Sequence, residues 1–256
     1  MSIEVTRSAA YAGGARQGLD IYRRRGVEAA PVVVFFYGGG WRSGNKTLYS
    51  YVGKVLSRRG YLAVLPDYRI YPEVRYPAFL EDGALALRWV KDNAGRFGGD
   101  ADKVFVMGHS AGAHIAAMLA TDPRWLAAVD LAPERDIAGL VGVAGPYDFA
   151  PLRDQLLRDI FGGDRPETQP IYHVRAGTPP SLLLTGVRDG IVDPGNSERF
   201  AARLKAAGNH ATLVKYPRVG HYLIIAAFAR FGRLLAPVLR DSDRFMRRIV
   251  AGEDGI

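Results

Sequence analysis

The stretch VFVMGHSAGAH, residues 104–114, sets one serine between two glycines. An apolar run, Val104 to Met107, stops at Gly108; Ser110 follows, and after Gly112 the residues are small and helix-forming. G-x-S-x-G is the pattern of a nucleophile elbow, a strained strand-to-helix turn that exposes a serine hydroxyl. Both glycines then have a reason: neighbouring backbone passes too close to admit a Cβ at Gly108 or Gly112. The N-terminus of the following helix favours negative charge developing there. Five residues of small types recur by chance. Their position after a buried strand and at the opening of a helix points to Ser110 as a nucleophile rather than a plain turn serine.

A serine hydroxyl needs a base to take its proton, and the base needs an acid to hold its tautomer. Of the five histidines, His109 is the variable residue inside the elbow, and His114, one turn along the helix, is expected to pack beneath it. His173 falls in a long connection, and His210 precedes a predicted strand. Sites in parallel sheets form beyond the carboxyl ends of strands. Only His221, after the run ATLVKYP (211–217), meets that condition. Two acids follow the run SLLLTG (181–186). Asp189 is expected to partner His221; Asp193, just before Pro194, is better placed to start the next helix. An oxyanion would need backbone donors. GGGW (38–41) follows a strand but lacks both phosphate-loop patterns, so the expected donors are the N–H groups of Gly39, Gly40 and Ala111.

The elements that must hold these residues are legible as alternating patterns. LDIY (19–22), PVVVFFY (31–37), YLAVLP (61–66), KVFVMG (103–108), GLVGVAG (139–145), SLLLTG and ATLVKYP read as strands, mostly apolar throughout, as in sheets covered on both faces. Residues 47–59, 78–93, 111–121, 196–207 and 222–250 read as helices, the last kinked at Pro237. Leu80, Ala84, Leu87 and Val90 share one face of theirs. The expected fold is α/β, a mostly parallel central sheet with helices on both faces and right-handed connections. One domain over 1–256 is expected, with 146–179, rich in Pro, Gly and charge, inserted as a short helical lid.

Composition bounds the function. The chain of 256 residues has no cysteine, which excludes thiolate catalysis, disulfides and iron–sulfur clusters. The net charge of +8 is scattered over arginines without a basic stripe, so no nucleic-acid partner is expected. The N-terminus lacks the apolar core of a secretory signal, which gives a cytoplasmic expectation. The run YLIIAAFARF (222–231) is too short to span a bilayer.

YGGGW (37–41), PDYRIYPEVRYPAFLEDGALALRWV (66–90), FGGDADKVFVMGHSAGAHIAAML (97–119), TGVRDGIVDP (185–194) and VGHY (219–222), in that order, together resemble the α/β-hydrolase superfamily. The likeness is to its esterase branch, related to hormone-sensitive lipase, bacterial feruloyl-esterase-like proteins and arylformamidases. The resemblance implies a triad of Ser110, Asp189 and His221, in the chain order of that superfamily, and oxyanion roles for Gly39 and Gly40. It implies hydrolysis of carboxylic esters through an acyl-enzyme, without a cofactor or metal. Two departures stand out. Tyr37 replaces the family's loop-supporting histidine, either supporting the loop through its hydroxyl or reshaping the acyl pocket, and Ala113 replaces a glycine. The tract around Tyr68 and Arg69 is structural in the family. Some thirty residues precede the oxyanion strand, so the expected cap is small, the site open, and the substrate a small soluble ester. Tyr37, Trp41, Tyr147, Phe149 and Tyr222 are the expected substrate contacts. An amide-hydrolase reading, as in an arylformamidase or small peptidase, and a non-catalytic binding protein on the same scaffold stay open, as does a homodimer.

Overall fold

Apolar runs of five to seven residues cannot face water on either side, and in the computed structural model they form the middle of one sheet. The structure describes residues 2–229 and 236–253. The strands are β1 (Ile3–Ala10), β2 (Gly18–Arg24), β3 (Ala30–Phe36), β4 (Leu62–Pro66), β5 (Gly99–His109), β6 (Gly139–Val143), β7 (Ser181–Gly186) and β8 (Ala211–Tyr216). Their spatial order is β1-β2-β4-β3-β5-β6-β7-β8. β1 pairs antiparallel with β2, and β2 with β4; every later pairing is parallel. Every residue of β4, β6 and β7 is buried, as their unbroken apolar runs require.

The helices cover both faces: α1 (Ser50–Arg58), α2 (Ala78–Asn93), α3 (Ala111–Thr121), α4 (Pro123–Ala127), α5 (Pro133–Asp136), α6 (Gln155–Phe161), α7 (Gly195–Ala206), α8 (His221–Ala226) and α9 (Val238–Val250). The predicted face of α2 is the buried one: Leu80, Ala84, Leu87 and Val90 are all in the core. α3 is buried on every side, so its small residues are a packing requirement: Ala113, Ala116 and Ala117 let it lie close to the sheet.

Two expectations need correction. The single helix over 222–250 is interrupted: among the described residues α8 ends at Ala226, and Pro237 sits at the N-terminal boundary of α9 rather than at a kink inside it. A proline lacks the N–H that an interior position needs, whereas a helix start leaves that donor unused. Residues 230–235 of that stretch lie outside the described residues. The second correction is β1, which the apolar pattern did not reveal. It is an edge strand with no buried position, so nothing in it selects for alternation. Segment 146–179 contains α6 and two 3₁₀ turns, Pro166–Thr168 and Pro170–His173, and anchors itself through the buried Leu152, Ile160 and Phe161. Among the described residues no helix is long and apolar enough to cross a membrane.

α3 meets β3 at a tight junction. A Cβ on Gly112 would lie 2.1 Å from the Phe36 carbonyl oxygen and 2.5 Å from that of Tyr37. Gly112→Ala is therefore expected to push α3 off the sheet and to cost about 1–3 kcal/mol, read as a lower urea midpoint at unchanged slope. Gly95→Ala, where an added Cβ meets nothing within 4 Å, should leave the midpoint where it is.

Candidate active site

The turn between β5 and α3 holds Ser110 at φ 55° and ψ −124°, a conformation that L-residues avoid. Three backbone bonds keep it there. The Ser110 N–H donates to the Val143 carbonyl on the neighbouring strand at 2.9 Å, and the Ser110 carbonyl accepts from Ala113 and His114 at 2.9 and 3.1 Å. The flanking glycines are obligatory. A Cβ on Gly108 would lie 2.2 Å from the Gly112 carbonyl oxygen, and Gly112 itself abuts β3.

β7 and β8 end beside this turn and supply the partners. His221 Nε2 is 2.9 Å from Ser110 Oγ. His221 Nδ1 is 2.8 Å from Asp189 Oδ2. The carboxylate can only accept, so Nδ1 carries the hydrogen and Nε2 is free to accept the serine proton. Asp189 Oδ1 accepts the N–H groups of Ile191 and Val192, both at 2.9 Å. Burial pushes the Asp189 carboxyl up, but the bond from His221 and the two backbone donors outweigh it and hold it below the ordinary aspartate value. Ser110, Asp189 and His221 are 9%, 8% and 6% exposed, so the line of hydrogen bonds is shielded from water along its length. Asp193 does something else. It points outward and accepts at 3.0 Å the N–H of Gly195, the first residue of α7.

The glycine loop lies against the elbow. A Cβ on Gly38 would come within 3.0 Å of Ser110 Cβ. Gly39 and Gly40 have φ of 147° and 61°, which suit glycine alone. The Gly39 carbonyl is turned inward by Arg42 N–H, Ser43 N–H and Ser43 Oγ at 3.2, 3.0 and 2.9 Å. In a trans peptide the following N–H, that of Gly40, then points the other way. Among the loop and turn bonds of the described residues, the N–H groups of Gly39, Gly40 and Ala111 donate to no backbone carbonyl.

Tyr37 and Tyr147 do not line this site, contrary to the sequence reading. Both are fully buried. The Tyr37 hydroxyl accepts from Arg16 at 2.8 Å, and its ring stacks on Tyr68 at 4.5 Å. Arg16 also donates to the Gly44 carbonyl at 2.7 Å, and the Tyr68 hydroxyl to the Tyr37 carbonyl at 2.7 Å. Tyr37 thus supports the loop through its hydroxyl and has no surface to offer a substrate. Tyr147 stacks on Phe200 at 4.6 Å in the core. Of the other three, Trp41 stacks on the half-buried Phe149 at 5.8 Å, and Tyr222, 71% exposed, meets the His221 ring edge-on at 5.4 Å. His109, Tyr49 and Arg16 border the elbow and loop and were not assigned a role from sequence. His109 and Tyr49 come within 3.4 Å of each other only in the fold, and no local pattern signals that.

A mostly parallel sheet of this order, with a serine elbow after β5, an acid after β7 and a histidine after β8, is the arrangement of an α/β-hydrolase. The chain belongs to the BD-FAE family, whose model matches residues 19–204. It is 31% identical over 250 residues to esterase LipC of Mycobacterium tuberculosis, covering 88% of this chain and 62% of that protein. It is likewise 31% identical over 245 residues to a probable isoprenylcysteine alpha-carbonyl methylesterase of Oryza sativa subsp. japonica, covering 86% and 58%. The chain thus spans about three-fifths of the length of these curated relatives. Among solved structures, a thermophilic esterase of Thermogutta terrifontis, Est2, superposes with a TM-score of 0.77 at 27% identity, covering 94% of this chain and 91% of that one. A truncated carbohydrate esterase from gut microbiota shares the fold at a TM-score of 0.82 and 21% identity, covering 96% of each chain.

The two aspartates give a sharp contrast. Asp189→Asn should lower kcat by about 10³–10⁴-fold while Asp193→Asn stays within a few-fold of wild type, since only Asp189 can fix the tautomer of His221. The reverse ranking in steady-state assays would exchange their roles. Stability should also respond to acid. A carboxyl held low in the folded state stabilises it above about pH 4, and this contribution is lost as the pH falls further. Urea titrations from pH 5 down to 3 should therefore show a shallower loss for Asp189→Asn than for wild type.

Proposed function

We propose that the chain is a serine hydrolase of carboxylic esters, with Ser110 as nucleophile, His221 as general base and acid, and Asp189 as the partner of His221. The observation that carries this reading is the unbroken line from Ser110 Oγ to His221 to Asp189, with links of 2.9 and 2.8 Å, at a backbone turn held in a disfavoured conformation. Ser110 Oγ attacks the ester carbonyl as its proton passes to His221 Nε2. The negative charge of Asp189 stabilises the imidazolium. The carbonyl oxygen becomes an oxyanion, received by the N–H groups of Gly39, Gly40 and Ala111, each worth roughly 3 kcal/mol to the transition state. Collapse breaks the bond to the alcohol oxygen, which leaves with the proton from His221. A water, deprotonated by the same nitrogen, then cleaves the acyl-enzyme and regenerates Ser110.

The substrate proposed is a short-chain or aromatic ester. The half-buried Phe149, backed by the buried Trp41, offers an aromatic face beside the loop, and Tyr222 an exposed ring beside His221. Est2 of Thermogutta terrifontis has been solved with propionate and with butyrate bound, which supports small acyl groups here. Segment 146–179 is proposed as a fixed cover rather than a separate domain, because Phe161 packs at 4.8 Å against Trp41.

Hydrolysis of p-nitrophenyl acetate, butyrate and octanoate by wild type and Ser110→Ala tests the reading. Wild type should turn over acetate and butyrate faster than octanoate, and Ser110→Ala should fall to the rate of buffer alone. Equal turnover by Ser110→Ala would remove Ser110 from the chemistry.

A further inference from the structure

His109, the variable position of the elbow, is in contact with both halves of the site. It is 2% exposed, and its ring lies 4.9 Å from that of His221. Its Nε2 is 3.2 Å from the backbone carbonyl oxygen of His221. A carbonyl only accepts, so Nε2 carries the hydrogen and Nδ1 is bare. Nδ1 faces the Tyr49 hydroxyl at 3.4 Å, which therefore donates to it. The glycine loop closes over the same atoms: a Cβ on Gly38 would lie 2.8 Å from His109 Nδ1. The Tyr49 ring in turn stacks at 5.9 Å on Tyr37, the residue that precedes the glycine loop. A chain of contacts thus runs from the loop through Tyr49 and His109 to the main chain of the base.

Burial, reinforced by the nearby His221, pushes His109 down to about 3. It is therefore neutral near pH 7, and the His221 carbonyl and Tyr49 hydroxyl, one accepting and one donating, hold it in one tautomer. A second cation 4.9 Å from a forming imidazolium would oppose that charge.

We propose that His109 is a positioning residue that holds the turn bearing His221 and the glycine loop in one fixed relation, with Tyr49 fixing the orientation of its ring. The proposal rests on the serine–histidine reading given above. It follows from geometry that the effect falls on turnover. Displacement of the base or of the oxyanion donors by a fraction of an ångström matters to the transition state far more than to the bound ester.

The test is steady-state kinetics on p-nitrophenyl butyrate with wild type, Ser110→Ala, His109→Phe, His109→Gln and Tyr49→Phe, with the Tm of each. Phenylalanine keeps the ring volume without a donor; glutamine restores a donor near the Nε2 position. His109→Phe should lose about 10–100-fold in kcat with KM within about twofold and Tm nearly unchanged, and His109→Gln should recover to within about fivefold of wild type. Tyr49→Phe should fall between them. Wild-type kcat in His109→Phe would overturn the proposal, as would equal losses in the Phe and Gln variants that track a falling Tm. A wild type that neither turns over the ester nor takes up a fluorophosphonate would instead overturn the serine reading, and this one with it. An active wild type with an indifferent His109→Phe overturns the positioning role alone.

Discussion

The backbone of Ser110 is the constraint on which the site depends. A serine at φ 55° and ψ −124° costs on the order of 1–3 kcal/mol relative to an ordinary conformation, and it persists only because its surroundings leave no alternative. β5 must end where the Val143 carbonyl can hold the Ser110 N–H, and α3 must begin close enough for Gly112 to touch β3. The sheet order places β3 and β6 on either side of β5, which makes both contacts possible at once. The strain is thus balanced by the packing of three strands and a buried helix, and it leaves the hydroxyl at the one point where His221 can reach it.

Charge is managed with the same economy around that point. His109 and His114 are both pushed down by burial, to about 3 and about 4. His114 gives its Nε2 hydrogen to the Thr168 carbonyl at 2.8 Å and stays in the core. His221 instead has a carboxylate 2.8 Å from its Nδ1, held in turn by two backbone donors. The excess of arginine lies elsewhere, much of it in ion pairs such as Arg59 and Arg247 with Asp243, and Arg23 and Arg25 with Glu4. The Glu4 pairs, the more exposed of these, contribute little each to stability.

Much of this was legible before any coordinates. Buried parallel strands are apolar end to end, so β3, β4, β6 and β7 show themselves, and a residue just past such a strand is a site candidate. That reasoning selects Ser110, Asp189 and His221 and sets Asp193 aside. It fails for β1, whose exposed edge carries no pattern, and for Tyr37 and Tyr147. Aromatic type close to a motif does not say whether a ring faces the cleft or the core; here Arg16 and Tyr68 draw Tyr37 inward, and Phe200 draws Tyr147. The part played by His109 was hidden for a related reason, since its partners, Tyr49 and the His221 carbonyl, lie 60 and 112 residues away.

The most direct measurement is covalent labelling with a fluorophosphonate, with the adduct located by peptide mass spectrometry in wild type and in His221→Ala. A strained serine activated by His221 predicts one adduct per chain, on the peptide that contains Ser110, and its near-complete loss in His221→Ala. An unlabelled, folded wild type, or labelling that ignores His221, would contradict the account.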